Sequence, residues 1–210
     1  MNEIDKQYED FVKEYVKDNT GSYYFWKTFF TPIGVLAYRP KIFNKENIPE
    51  EGGVILACNH IHMSDPAPVV LSTKRVVRFL AKKELLDSIL GPIYRGLCAI
   101  PVDRSNGAHN SMVAAQYALE KGEIVCIFPE GTRNRKDPKE MLPFKYGTVR
   151  LASLTGKPIV PMAVVSKGRP FIDDYKVYVG EPYYVDKDAN LDEENEILRK
   201  KILDLMIDKL

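Results

Sequence analysis

Cysteine is scarce in this chain: Cys58, Cys98 and Cys126 are the only three among 210 residues. Each sits in an apolar run and none has a close partner, so neither a zinc-ligand spacing nor a disulfide framework is present. They read as small core residues in a reducing compartment. Long hydrophobic runs are also missing. The uncharged stretch between Lys27 and Arg39 has 11 residues and contains Pro32, about half of the roughly 20 apolar residues that a spanning helix needs. Met1-Asn2-Glu3-Ile4-Asp5 lacks the basic and apolar regions of a signal peptide, so a cytoplasmic setting is expected. The 30 basic and 29 acidic residues leave a net charge of +1, which gives no field for bulk nucleic-acid binding. No Walker or GxGxxG pattern, internal repeat or low-complexity tract occurs. The length suits one sizeable core and demands no second one.

What the chain does have is a rhythm. From about residue 53, short apolar runs at 53–58, 76–81, 97–102, 123–128, 158–164 and 175–180 alternate with helical patterns at 66–72, 82–94, 107–121, 144–155 and 192–209. This predicts an α/β fold with a largely parallel central sheet covered by helices on both faces. Ahead of it, Ile4, Tyr8, Phe11, Val12, Tyr15 and Val16 form one helical stripe, which Asn19-Thr20-Gly21-Ser22 ends. Then comes an aromatic-dense segment, Tyr23-Tyr24-Phe25-Trp26-Lys27-Thr28-Phe29-Phe30, with the only tryptophan. Aromatic rings flanked by Lys and Arg fit a segment lying in the headgroup region of a bilayer, hence a two-helix interfacial anchor over 1–40 ahead of a domain at 41–210. A helical pair packed on the domain is the simpler alternative.

Two strand ends carry polar clusters. After Gly53-Val54-Ile55-Leu56-Ala57-Cys58 comes Asn59-His60-Ile61-His62-Met63-Ser64-Asp65, and after the run ending at Ile127 comes Phe128-Pro129-Glu130-Gly131-Thr132-Arg133. Ligands of open α/β sheets bind outside the carboxyl ends of strands, so the repetition points to a site. His60 is a candidate general base, with Asp65 holding its other ring nitrogen. The alternatives are an Asp65 N-cap before Pro66 and an H-x-H metal pair of His60 and His62. Cys58 beside Asn59-His60 invites a nucleophile reading, but a cysteine ending an apolar strand is more often inert. For an anion, Asp103-Arg104 ends another strand, and Gly131, Thr132 and Arg133 offer close backbone approach, a hydroxyl and a guanidinium. Lys145 and Gly147 open the next helix, whose main-chain N–H groups favour negative charge. A solvated ion pair accounts equally for Asp103 and Arg104, and a solvated loop for the basic run 133–139.

Taken in order, His60 with Asp65, Val102-Asp103-Arg104, Phe128-Pro129-Glu130-Gly131-Thr132-Arg133 and Val160-Pro161 resemble the four signature blocks of the glycerolipid acyltransferase family, in particular its short bacterial members that acylate lysophosphatidic acid. The resemblance runs from about residue 53 to 165. It implies transfer of a fatty acyl chain from acyl-CoA or acyl-carrier protein to the sn-2 hydroxyl of lysophosphatidic acid, giving phosphatidic acid. It casts His60 as base and Asp65 as its orienting partner. Acceptor-phosphate recognition falls on Arg104, Glu130, Gly131, Thr132 and Arg133, to which Lys145 is added from its helix position. The fourth block, near Pro161, is linked to the acyl side. No cofactor or metal is implied, because the thioester is already activated. The implied partners are membrane lipids, a lysophospholipid acceptor and the acyl donor, at the cytoplasmic side of the cell membrane as a peripheral protein. His62 and Asn134 stand where serine is frequent in the family. Glycerol 3-phosphate or another lysophospholipid as acceptor, a thioesterase and a non-catalytic lipid-binding module are the rival readings.

Overall fold

The computed structural model describes residues 6–103, 108–135, 141–166, 171 and 174–207. Its centre is a sheet of seven strands: β1 (Lys41–Phe43), β2 (Val54–Cys58), β3 (Val77–Lys82), β4 (Ile100–Val102), β5 (Ile124–Ile127), β6 (Ile159–Val165) and β7 (Lys176–Val179). The order across the sheet is β1-β7-β6-β2-β5-β3-β4. From β6 to β4 every neighbouring pair is parallel, while β7 runs antiparallel to β6 and carries β1 parallel to itself. The largely parallel α/β sheet expected from the sequence is therefore present, with a reversed edge.

Continuous apolar strands belong in the middle of such a sheet, because both faces are covered. All five residues of β2 and all four of β5 are buried. Successive side chains point to opposite faces. Ile55, Ala57, Val125 and Ile127 join one core with α6 (His109–Glu120), α7 (Gly147–Thr155) and α8 (Leu191–Met206). Leu56, Cys58, Ile124 and Cys126 join the other with Val69 of α3 (Pro66–Leu71). α1 (Lys6–Tyr15) and α2 (Thr20–Tyr38) go to different faces. Val12 of α1 and Val16 just beyond it lie in the first core, whereas α2 lies beside α3 and α5 (Gly91–Gly96) on the second face.

Three sequence expectations need correction. The helix expected over 82–94 is two short ones, α4 (Lys83–Leu86) and α5. Pro92 disfavours helical backbone in the residue before it, and Gly91 sits against the Leu86 carbonyl where a Cβ would lie 2.1 Å from the oxygen. The strand expected from 97 starts at Ile100, because Cys98 takes a left-handed turn at φ 58° as the chain leaves α5. β1 was missed, since a three-residue strand with an exposed-intermediate-exposed pattern carries no readable periodicity.

Candidate active site

Both polar clusters emerge at the carboxyl ends of adjacent strands, β2 and β5. Asn59 leaves β2 buried, and its amide exchanges two hydrogen bonds with the main chain of Val164, at 2.7 and 3.0 Å, so the side chain extends the pairing with β6. The next residue, His60, is held at three points. Its N–H donates to Glu130 Oε1 at 2.9 Å, its carbonyl accepts from the Asn134 N–H at 2.7 Å, and its ring stacks on Phe128 with centroids 4.2 Å apart.

Asp65 is fully buried and spends one oxygen on three donors. Oδ2 accepts from His60 Nδ1 at 2.9 Å and from the N–H groups of Ile61 and His62 at 2.7 and 2.8 Å. The loop is thus wrapped around its own carboxylate. Asp65 precedes α3 but makes no side-chain cap there, so its carboxylate serves the loop behind it. With a carboxylate on Nδ1, that nitrogen carries the proton and Nε2 presents its lone pair. Nothing among the described residues hydrogen-bonds Nε2, and His60 lines a cavity of about 1200 Å³. A hydroxyl entering there would meet the unblocked ring nitrogen.

Glu130 joins the two loops. Its second oxygen, Oε2, accepts from the Leu142 N–H at 2.9 Å, so both oxygens are occupied by main chain. Burial raises its pKa, against the lowering effect of those two bonds. With both oxygens so engaged, Glu130 fixes the two loops against each other. Gly131 has φ +65°, and an added Cβ would lie 2.9 Å from Lys145 Cδ and Cε. The positive φ is what favours glycine, and the flexible Lys145 side chain lies across it. Thr132, Arg133 and Lys145 stand on the cavity wall with His60, so the β5 loop and the start of α7 bring hydroxyl, guanidinium and ammonium to one mouth. Arg104 and residues 136–139 of the basic run lie outside the described residues. Val160 and Pro161 are buried within β6, beside β2.

The other candidates from the sequence resolve differently. Cys58 is fully buried, and burial lifts its thiol well above the ordinary cysteine value, which suppresses the thiolate a nucleophile needs. The His62 ring lies 3.4 Å from the Ser166 carbonyl. Among the described residues no three His, Cys, Asp or Glu side chains group as metal ligands.

The acyltransferase family profile matches residues 39–165, which contain every one of these groups. A 1-acyl-sn-glycerol-3-phosphate acyltransferase of Bacillus subtilis is 34% identical over 150 residues, 69% of this chain and 73% of that protein. The chain belongs to the acyltransferase family. Another acyltransferase of the same description, from Borreliella burgdorferi, is 30% identical over 149 residues, and this chain spans only 58% of its length. The fold is that of the crystallised 1-acyl-sn-glycerophosphate acyltransferase PlsC of Thermotoga maritima, with a TM-score of 0.62 over 88% of this chain and 76% of that one, at 24% identity.

Sequence reasoning missed much of the cavity wall of this acyltransferase. Beyond the polar mouth the cavity runs between α2, α3, α5 and β3, lined by Phe30, Gly34, Val70, Phe79, Ile93 and Leu97. Individually these are ordinary apolar residues of separate elements, and only their convergence makes a pocket.

Proposed function

We propose that this acyltransferase moves a fatty acyl chain from acyl-CoA or acyl-carrier protein to the sn-2 hydroxyl of lysophosphatidic acid, producing phosphatidic acid. The observation that carries the reading is the His60–Asp65 pair opening onto a cavity that is cationic at its mouth and apolar beyond it. In this reading His60 Nε2 takes the acceptor hydroxyl proton as the oxygen attacks the thioester carbonyl. The carbon–oxygen bond forms, the carbon–sulfur bond breaks, and the imidazolium returns the proton to the departing sulfur. Asp65 keeps the productive tautomer and stabilises the transient positive charge. Arg133, Lys145 and Thr132 hold the acceptor phosphate, with Gly131 giving close approach and Glu130 fixing both loops; Arg104 belongs to the same proposed set. The acyl chain lies in the apolar part of the cavity.

Thiol release from a long-chain acyl-CoA or acyl-carrier protein tests this, with lysophosphatidic acid, glycerol 3-phosphate or uncharged monoacylglycerol as acceptor. Release that depends on lysophosphatidic acid is expected. Release without acceptor identifies a thioesterase, and equal turnover of monoacylglycerol rejects the phosphate site.

The same proposal places the protein on a membrane surface through α2. No helix of the described residues is long and apolar enough to cross a bilayer. Phe25, Phe29, Ile33 and Leu36 recur on one face of α2 and are 51–69% exposed, and Ile89, just before α5, is 95% exposed. Such a face suits the headgroup boundary. The interfacial element of the proposed 1–40 segment is therefore α2, since α1 packs on the first core. Replacing Phe25, Phe29 and Leu36 by serine is expected to weaken partitioning onto anionic vesicles by at least about 100-fold, from ~1.5–3 kcal/mol per large apolar side chain. Sedimentation with vesicles measures it. Undiminished binding by the folded triple variant rejects α2 as the anchor.

A further inference from the structure

The inward face of α2 carries one residue out of character. Tyr23, Lys27, Phe30, Gly34 and Ala37 recur at helical spacing opposite the exposed Phe25–Leu36 stripe, and four of the five line the cavity. Lys27 is the charged member of this apolar series. Its Nζ donates to the Thr73 carbonyl at 2.6 Å and lies 5.5 Å from the Tyr23 ring. Among the described residues no carboxylate pairs with it.

Two independent measures place Lys27 at the end of the cavity away from His60. The carboxyl end of α2 stands beside the reactive loop, because Tyr38 packs edge-on against Tyr175, whose hydroxyl bonds Ser64 at 2.8 Å. Lys27 is eleven residues earlier, about 16 Å along a helix rising ~1.5 Å per residue. On the sheet side, the Tyr23 hydroxyl accepts from the N–H of Val77, the first residue of β3, and Thr73 precedes that strand. Lys82, at the far end of β3, also lines the cavity, and this six-residue strand again spans about 16 Å at ~3.3 Å per residue. Extended single-bonded chain advances ~1.2 Å per bond, so Lys27 stands about 13 bonds below the Ser64 level.

Resting on the acyltransferase reading, we infer that Lys27 sets the upper limit of acyl-chain length: its ammonium, tied to the Thr73 carbonyl, closes the apolar cavity to a methyl end long enough to reach it. A methylene pushed onto the ammonium strips water from a charge and gains no apolar contact. Chains that stop short gain the whole lining.

The same geometry makes the limit pH-dependent. Burial pulls the Lys27 ammonium down from the ordinary lysine value to about 8. The charge is present below that value and disappears as pH rises through it, so the penalty on long chains falls between about pH 7 and 9. Titratable groups on the elements packed there are Tyr23 and Tyr24 on α2, Lys74 and Arg75 on the loop after α3, Tyr94 on α5, and Cys98 just beyond α5, whose thiol burial holds above its ordinary value. Burial raises the Tyr23 phenol further above its ordinary value, so it stays neutral throughout. Arg75 remains a guanidinium bound to the carbonyls of Pro49, Gly52 and Gly122.

The test is competition between thioesters of increasing length, roughly 12 to 20 carbons around the ~16 Å depth, read as the ratio of kcat/KM for neighbouring lengths. Because both donors share one tube, titration of the catalytic base cancels from the ratio. The expected result is that wild type discriminates against chains beyond its limit at pH 7 and less so at pH 9. Lys27→Met should relax the step by about tenfold for a two-methylene extension and show no pH dependence. Lys27→Arg, which cannot deprotonate in this range, should keep the limit at both pH values. An unchanged ratio in an active Lys27→Met, or a Lys27→Arg that follows pH as wild type does, overturns the inference alone. No turnover of any chain, as CoA or carrier-protein thioester, overturns it together with the acyltransferase reading.

Discussion

His60→Ala should lower acceptor-dependent turnover by about a hundred- to ten-thousand-fold, the range that a positioned general base contributes, while leaving the fold intact. Among the described residues the ring makes one side-chain hydrogen bond, to Asp65, and it stacks on Phe128 at a cavity edge, so its loss opens space at the surface of the site and not in the core. Asp65→Asn separates orientation from mere filling. The amide oxygen can replace Oδ2 and keep accepting from His60, Ile61 and His62. Its NH2 then falls where Oδ1 now lies, buried and without a hydrogen-bond partner among the described residues, and the charge that stabilises an imidazolium is gone. A loss of kcat approaching that of His60→Ala is expected, with little change in acceptor KM. Cys58→Ala should retain turnover, because the thiol is buried and held protonated. Activity in His60→Ala together with inactivity in Cys58→Ala reverses the mechanism. Initial rates with circular dichroism as a folding control decide it.

Arg78→Met should destabilise the protein by about 3–5 kcal/mol, the cost of breaking a buried pair by removing one partner. Arg78 is 1% exposed. Its guanidinium bonds Glu123 through Nε and, at 3.1 Å, through Nη2, and donates to the carbonyls of Tyr15 at 2.9 Å and Lys17 at 3.3 Å. One side chain therefore ties the end of α1 to the start of β5. Removing it leaves two carbonyls and a carboxylate without their shared donor. At ~2–4 °C per kcal/mol for a chain of this size, a fall in Tm of about 10 °C is expected by calorimetry, with hydrogen exchange rising first in α1. A shift under about 3 °C means that water replaces the guanidinium at the half-open Glu123 side.

Arg78 also marks how far the sequence could be read. It stands inside the apolar run 76–81, where a charged residue argues against a buried strand position, yet β3 buries it because a carboxylate and two carbonyls from other elements surround it. The N-terminal stripes were similarly two-sided. Helical periodicity identified an apolar face for the first helix and aromatic richness for the second. Which face of which helix would be covered depended on the core each was near: Val12 and Val16 joined the core that holds α6, while Phe25 and Phe29 touch rings of their own helix and stay more than half exposed.

The sequence by itself determined the alternation of strands and helices, and with it the parallel sheet. It also put His60 and Asp65 on one short loop, where the carboxylate gathers the ring and two N–H groups through local hydrogen bonds. Tertiary structure alone decided what depends on distant segments meeting. It made Glu130 a strut between His60 and Leu142, laid Lys145 across Gly131, and gathered α2, α3, α5 and β3 around one cavity with Lys27 at its end. The physical reason is that local pattern encodes which side chains prefer burial and which backbone turns are allowed, whereas the partner of a buried polar group and the length of a pocket are fixed only when the layers pack.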